Sequence, residues 1–262
     1  MSPGFAATLR VIGALGARSI KQTFRRPQLM APILIFPSLL LAVQTGGAGG
    51  AVNLPQFPQV HGFLDFMLAG AMIQSALLAS NSGGIALAVD IEMGFTDRLF
   101  AAPVPRFAIV LGRLAATAAL GAFSAVWFIG VGLIFGAHFQ DGVPGILLMI
   151  ALVTLSAVAL GGIGAAIALR TGSASVVQGL FPLVFVILFL SSAFFPATLI
   201  LEPAKTIAQY NPISFIVEAI RDPVISSLSL ATLGKAVASI TGIAAFSVWL
   251  SSRALNARLR RG

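Results

Sequence analysis

The densest group of charged residues that could do chemistry lies between positions 90 and 113. Asp90, Glu92 and Asp97 are three of only eight acids in 262 residues. Arginines at 98, 106 and 113 follow them. Acids and bases at this density suit helix capping, ion pairing and docking to another protein. This segment is therefore the first candidate for a functional surface.

The local pattern in this segment predicts a short helix. Asp90 can act as its N-cap, and Glu92 is favourable in the first turn. Ile91, Phe95 and Leu99 recur at every fourth position, which gives the helix one apolar side. Prolines at 103 and 105 then end it. The expected element is a small amphipathic rod between two longer apolar stretches.

Other residues that could do chemistry are scarce. The chain has no cysteine and only two histidines, His61 and His138, which lie far apart in sequence. No Gly-x-x-x-x-Gly-Lys-[Ser/Thr] loop is present, and Gly234-Lys235 is followed by Ala236. We therefore predict no catalytic, cofactor-binding or metal-binding residues in this chain. The chain therefore lacks the usual loop that holds the phosphates of ATP.

Composition indicates that most of the chain is solvated by lipid. Hydrophobic residues make up 58% and charged residues 9%, with a mean hydropathy of +0.99. A soluble domain normally carries about a quarter of its residues as charges. The net charge of +8 fits anionic lipid headgroups and membrane topology better than nucleic acid, which we exclude as a partner.

Six apolar stretches approach the roughly 20 residues that a helix needs to cross a bilayer. We therefore predict an all-α membrane protein with six transmembrane helices. The predicted spans are Leu29–Val43, Phe63–Val89, Ile109–Phe135, Val143–Leu169, Val176–Pro196 and Leu230–Leu250. They would form a single domain, 29–262, preceded by an interfacial helix in 1–28.

The distribution of basic residues predicts the orientation of these spans. Cytoplasmic loops retain lysine and arginine. With the N-terminus inside, thirteen of the sixteen basic residues lie on the cytoplasmic side, and Lys205, Arg221 and Lys235 lie outside. We therefore expect both termini in the cytoplasm. The thirteen are Arg10, Arg18, Lys21, Arg25, Arg26, Arg98, Arg106, Arg113, Arg170, Arg253, Arg258, Arg260 and Arg261.

The N-terminal segment, 5–26, has helical periodicity. Its apolar residues fall on one side and its cations, such as Arg10, Arg18 and Lys21, on the other. We expect an amphipathic helix in the interface with the membrane lipids, turned into the first span by Pro27 and Pro32. A cleaved signal peptide is the alternative, but the basic region is longer than a secretory n-region.

The segment 90–113 resembles the permease subunits of ABC-2 type transporters, and is similar to drug and lipid exporters of the daunorubicin permease kind. The resemblance covers most of the chain. The residues that carry it, in order, are Glu92, Gly94, Thr96, Asp97, Arg98, Leu99, Pro103, Arg106, Gly112 and Arg113. It implies a cytoplasmic coupling helix that docks into a separate ATPase. The coupling residues would be Asp90, Glu92, Gly94, Phe95, Asp97, Arg98, Leu99, Pro103 and Arg106.

A second stretch that resembles this family precedes the last span. Asn211 is a good N-cap, Pro212 suits the first helical position, and Glu218 can pair with Arg221. Asp222-Pro223 would end the element. A surface helix is one interpretation. The resemblance implies short re-entrant helices that close the outer mouth of the transporter, and the high apolar content of the stretch favours them.

Neutral polar side chains inside the spans have two interpretations. Such groups commonly hydrogen-bond one helix to another, and Gly161, Gly162 and Gly164 similarly suit close helix packing. Alternatively, Gln74, Asn81 and Gln178 border a substrate path. Gly83-Gly84 would loosen the second span, and Pro182 would kink the fifth.

The functional expectation is a permease of an ATP-driven exporter in the bacterial inner membrane. The resemblance implies two copies of an ATPase subunit, which hold ATP and Mg, and a second permease, identical or homologous. The nearly charge-free spans favour an amphipathic drug or lipid-like cargo over a highly charged one. The same lack of charge disfavours the alternatives of an ion-coupled secondary transporter and an intramembrane hydrolase. A non-transporting scaffold is a further alternative.

Overall fold

In a computed structural model of the protein, residues 5–95 and 106–259 are described, apart from the side chains of 5–7, 29, 106, 107, 109, 181, 258 and 259. Within those ranges the secondary structure consists of helices joined by turns and loops. The helices are α1 Phe5–Phe24, α2 Pro27–Ala48, α3 Phe63–Glu92, α4 Arg106–Ile134, α5 Gly142–Thr171, α6 Ala174–Gly179, α7 Phe181–Phe189, α8 Ala204–Tyr210, α9 Pro212–Ile225 and α10 Leu230–Leu259. A 3₁₀ turn, Gly49–Asn53, extends α2.

Five of the described helices are long and apolar enough to cross a membrane: α2, α3, α4, α5 and α10. The predicted fifth span, Val176–Pro196, is instead divided into the short helices α6 and α7. The division falls at Leu180, and Pro182 is the second residue of α7. Proline lacks an N–H group and its ring clashes with the preceding turn, which is why the helix is interrupted here. Six spans therefore stay a prediction.

The amphipathic N-terminal helix is present as α1, and it packs along the first half of α4. A β-carbon placed on Gly16 would lie 3.2 Å from Ala115 Cβ, so the two backbones approach closely. Farther along, the Phe24 and Phe123 rings meet edge to face at 5.6 Å. Part of the apolar side of α1 therefore covers protein.

The expected turn into the first span is only half correct. Pro27 is the first residue of α2, which suits its missing N–H. Pro32 lies inside α2, together with Pro37, and neither ends the helix.

Helix α3 lies at the centre of the bundle, and its glycines are packing sites. A β-carbon on Gly84 would lie 3.0 Å from the backbone of Gly164 in α5, and one on Gly83 would clash with Thr117 of α4. The expectation that Gly83-Gly84 loosens this helix is wrong, because α3 continues unbroken through both residues. Small residues instead let three helices approach closely, as predicted for the α5 glycines.

Contacts between helices fix their relative directions. Just before α5 begins, Asp141 accepts a hydrogen bond from Leu228 N, which lies just before α10, and near the end of α5 Gly162 meets Ser247 of α10. Helices α5 and α10 therefore run in the same direction. Gly84 of α3 meets Val177 of α6, while Gly70, about 21 Å away along α3, meets Ala193 just after α7. The α6–α7 pair therefore runs antiparallel to α3.

The two ends of the bundle differ in their charged residues. At one end α3 and α5 finish and α4 begins, and Arg113, Arg170 and Arg253 lie there. This is called the arginine end. At the other end α3 and α5 begin, and His61 and His138 lie there. This is called the histidine end.

Candidate functional site

The candidate coupling segment begins where α3 ends, and α3 ends later than the sequence predicted, at Glu92. Asp90 lies within the last turn of α3, so the expectation that it is the N-cap of a new helix is wrong. The apolar residues before Asp90 extend the α3 helix as far as Glu92. Gly94 then adopts φ +68° and donates its N–H to the Ile91 carbonyl at 3.0 Å. A residue with a β-carbon is strained at this φ, which explains a glycine here.

A buried ion pair joins α3 to α4 at this point. Asp90 Oδ2 lies 3.0 Å from a terminal guanidinium nitrogen of Arg113, and both residues are less than a tenth exposed. The same nitrogen donates to the Ala86 carbonyl. Asp90 is therefore occupied inside the bundle and does not form part of a docking surface. It fixes the end of α3 to the start of α4.

Helix α1 covers this ion pair. A small cavity lies beside it, lined by Gln22 and Thr23 of α1 and by Ser82 and Ala86 of α3. The Arg18 guanidinium lies over the Phe95 ring at 3.8 Å. This cation–π contact attaches the first residue after Gly94 to α1.

Glu92 attaches the same segment to a fourth helix. Its Oε1 accepts a hydrogen bond from the N–H of Ala174, the first residue of α6, at 2.8 Å. The first N–H groups of a helix lack partners within the helix, so a carboxylate here stabilises the start of α6. Residues 90–95 therefore contact α1, α4 and α6 simultaneously.

Most of the predicted coupling residues beyond Phe95 lie outside the described residues. These are Asp97, Arg98, Leu99 and Pro103. Arg106 is the first residue of α4, and only its backbone is described. Their docking role stays a prediction.

The second candidate region is built around Asn211 and Arg221. Asn211 is the N-cap of α9, as predicted: its Oδ1 accepts from Ile213 N at 2.9 Å, and Pro212 is the first helical residue. Its Nδ2 also donates to the carbonyls of Ile187 and Leu190, at 2.8 and 3.0 Å. One side chain thus starts α9 and attaches it to the end of α7.

The predicted pairing of Glu218 with Arg221 is wrong. Arg221 instead donates to three backbone carbonyls at 3.0–3.1 Å, those of Phe66, Ser192 and Ala193. Its guanidinium also stacks on the Phe66 ring at 3.9 Å. Glu218 accepts from the Ser192 hydroxyl at 3.3 Å. The carbonyls of Ser192 and Ala193 lie in the turn after α7 and accept from the guanidinium, because buried carbonyls need donors.

Helix α9 also continues past its expected end. Asp222-Pro223 was predicted to stop it, yet the helix includes both residues and finishes at Ile225. Its far end is held by the α4–α5 turn, where Gln140 N donates to the Pro223 carbonyl at 2.9 Å. Helix α9 thus connects the end of α7 to the histidine end of the bundle.

The three predicted path residues occupy different environments. Gln74 is fully buried, and both atoms of its amide lack a hydrogen-bond partner. Asn81 is half-buried and Gln178 is exposed. No hydrogen bond between them is present among the described residues. For Ser75 the helix-to-helix interpretation is correct, since its hydroxyl bonds that of Ser124 in α4 at 3.0 Å.

Sequence reasoning missed one group of residues. His61 and His138 were set apart by their distance in sequence, but their rings stack at 4.6 Å with Asp65 beside them. The available signal was that His61 precedes the second predicted span and His138 follows the third, which places both on the same side of the membrane.

Comparison with known proteins identifies one family. The family described as "ABC-2 type transporter" matches residues 10–225. This range includes α2 to α9 and the whole segment 90–113. No curated protein matches the chain.

Proposed function

Because the chain belongs to the ABC-2 type transporter family, we propose that it is the transmembrane permease subunit of an ATP-binding cassette exporter. It moves an amphipathic drug or lipid-like substrate out of the cytoplasm or the inner leaflet. ABC-2 permeases generally work with an ATP-binding subunit. In this proposal ATP and Mg bind two copies of that separate subunit, and a second permease completes the complex.

One observation carries the coupling role: the start of the 90–106 segment is attached to three other helices. Asp90 pairs with Arg113 of α4, Glu92 caps α6, and Phe95 stacks on Arg18 of α1. A force applied by the ATPase to residues 96–105 would therefore reach all three helices together with α3. Closure of the ATPase dimer on ATP would reorient α2, α3 and α6–α7 and release cargo outward.

The direction of the helices supports six crossings of the membrane. Because α5 and α10 run in the same direction, residues 172–229 must return from the arginine end to the histidine end. The α6–α7 pair, antiparallel to α3, supplies that return. We propose that α8 and α9 are re-entrant at the histidine end, with Asn211 and Arg221 holding the closed outer mouth.

Charge supports the orientation that follows. The arginine end adjoins the coupling segment, so it would face the cytoplasm together with both termini. The protein would then be a multi-pass protein of the bacterial inner membrane, with its histidine end outside.

The charges buried inside the bundle support a cargo with little charge. Among the described residues the buried charged side chains are Asp65, Asp90, Arg113 and Arg221. Asp90 and Arg113 neutralise each other, and Arg221 is occupied by backbone carbonyls. Apart from Asp65 at the histidine end, none of these charges is free to bind an ion of opposite sign, which favours an amphipathic substrate with little charge.

The test is reconstitution with an ATPase that carries a phosphate-binding loop. We expect the two proteins to co-purify and the permease to stimulate ATP hydrolysis in the presence of cargo. Reversal of the charges in Asp97→Arg or Arg98→Glu should abolish export while the protein still inserts. The matched control is Lys205→Glu in α8, at the opposite end of the bundle, which should leave co-purification unchanged.

Three outcomes would contradict the proposal. Wild-type export by the charge-reversed variants would remove the coupling role of the segment. Transport in vesicles driven by an ion gradient, without an ATPase, would identify a secondary transporter instead. A chain that neither binds an ATPase nor transports would be a scaffold.

A further inference from the structure

The histidine end of the bundle brings together the only two histidines of the chain. The imidazole rings of His61 and His138 are nearly parallel, with centroids 4.6 Å apart and 28° between their planes. The carboxylate of Asp65 lies beside them, and one ligand atom from each of the three residues falls within 4.8 Å of the other two. This group has no part in the coupling segment.

Three separate structural features place these side chains. His61 precedes Gly62, the N-cap of α3, and Asp65 lies in the first turn of that helix. His138 follows a reversal at the end of α4, where Gly136 adopts φ +82° and Ala137 N donates to the Gly132 carbonyl at 2.7 Å. The N–H of His138 points at Asp65 Oδ1, 3.4 Å away. The backbone therefore holds the group together without help from the imidazoles.

We propose that His61, Asp65 and His138 form a binding site for a divalent transition-metal cation of the zinc type. Two imidazole nitrogens and one carboxylate oxygen are ligands that this class of ion takes, and three protein ligands leave a fourth position for water or an external group. Calcium and magnesium prefer sites built from oxygen ligands alone. The ligand set thus selects the class of ion.

The geometry requires only a small adjustment. Two ligand atoms on one tetrahedral zinc ion stand about 3.3 Å apart, given bonds of about 2.0 Å. The present separations reach 4.8 Å at most, so the ligands must close by about 1.5 Å. Both histidines are exposed and can rotate, while Asp65 is 3% exposed and fixed in its helix. The buried carboxylate is the anchor, and the imidazoles close onto the ion from solvent.

A bound ion would add a connection between two parts of the chain that lie far apart in sequence. His61 belongs to the loop before α3, and His138 belongs to the α4–α5 turn. That turn already holds the end of α9, because Gln140 Nε2 donates to the Ile225 carbonyl at 3.1 Å and Asp141 accepts from Leu228 N at 3.0 Å. The ion would therefore fasten α3 to the turn that supports α9.

The experiment measures zinc binding by the purified full-length chain in detergent, with an affinity tag that contains no histidine. We expect one zinc ion per chain by calorimetry and by metal analysis after dialysis. Substitution of a ligand, in His61→Ala, His138→Ala or Asp65→Asn, should weaken binding at least tenfold. Cobalt substitution should give the visible absorption bands of a tetrahedral site.

A matched control uses another acid at the same end. Asp141→Asn removes a charge near the site but no proposed ligand, so its zinc affinity should equal that of the wild type. Zinc affinity unchanged in the His61→Ala/His138→Ala double variant, or no stoichiometric binding by the folded wild-type chain, would overturn the proposal. Gel filtration checks that each variant is folded. His61→Asn and His138→Asn serve as milder replacements, because both histidines are exposed and a polar side chain is kept.

This measurement needs neither an ATPase nor a substrate. Failure of the exporter proposal would leave the zinc affinity as it is, and failure of zinc binding would leave export as it is. The two proposals can therefore be separated.

Discussion

Asp90 and Arg113 form an ion pair of 3.0 Å in the interior of the bundle, between the last turn of α3 and the early part of α4. Both residues belong to the segment that the sequence singled out for its charges. The structure uses this acid and this base to attach two helices to each other, so neither residue is free to contact a partner at the surface.

The first prediction concerns this ion pair. Arg113→Met should lower the free energy of unfolding by about 3–5 kcal/mol, because it leaves Asp90 buried without a counter-charge. The double variant Asp90→Asn/Arg113→Met should lose less than the single one. Thermal unfolding in detergent measures both. Arg170→Met, an exposed arginine at the same end, is the control; equal losses in Arg113→Met and Arg170→Met would contradict the interpretation.

The second prediction tests the close approach of α3 and α5. Gly84→Ala should destabilise the protein by about 1–3 kcal/mol, since the added carbon would lie 3.0 Å from the Gly164 backbone. Gly130→Ala in α4 is the matched control, because nothing lies within 4 Å of a β-carbon there. Unfolding temperatures of the two variants should differ clearly. A Gly84→Ala protein as stable as Gly130→Ala would show that the helices separate freely.

The third prediction separates the two roles of Asn211. Asn211→Asp keeps the oxygen that caps α9 but loses the donor to the Ile187 and Leu190 carbonyls, and it places a carboxylate against them. We expect this variant to lose about 2 kcal/mol or more. Asn211→Ser, which keeps the cap without adding a charge, should be less destabilised. If Asn211→Asp were as stable as the wild type, the cap alone would matter.

The fourth prediction concerns the carbonyl contacts of Arg221. Arg221→Lys keeps the charge but cannot reach the carbonyls of Phe66, Ser192 and Ala193 in the same fork geometry. A loss of about 2 kcal/mol is expected, together with weaker export. Glu218→Gln can still accept from the Ser192 hydroxyl and should change stability by less than about 1 kcal/mol. A larger loss of stability in Glu218→Gln than in Arg221→Lys would instead support the Glu218–Arg221 ion pair that the sequence suggested.

The sequence alone determined the elements whose causes are local. Long apolar runs became α2, α3, α4, α5 and α10 because a helix satisfies its own backbone groups where no water is present. The cap at Asn211, the first proline of α2 and the break near Pro182 likewise depend on neighbouring residues. Helix ends were less exact, since α3 includes Asp90 and α9 includes Pro223.

Only the tertiary structure decided which distant residues meet. Arg221 donates to carbonyls after α7 and does not pair with Glu218 on its own helix. Asp90 pairs with Arg113, and the His61 ring stacks on the His138 ring. These partners depend on which helix faces pack, and close contacts at glycines such as Gly84 and Gly164 set that packing. Spacing along one helix cannot reveal a partner on another helix, because the distance between the two is fixed by contacts elsewhere in the bundle.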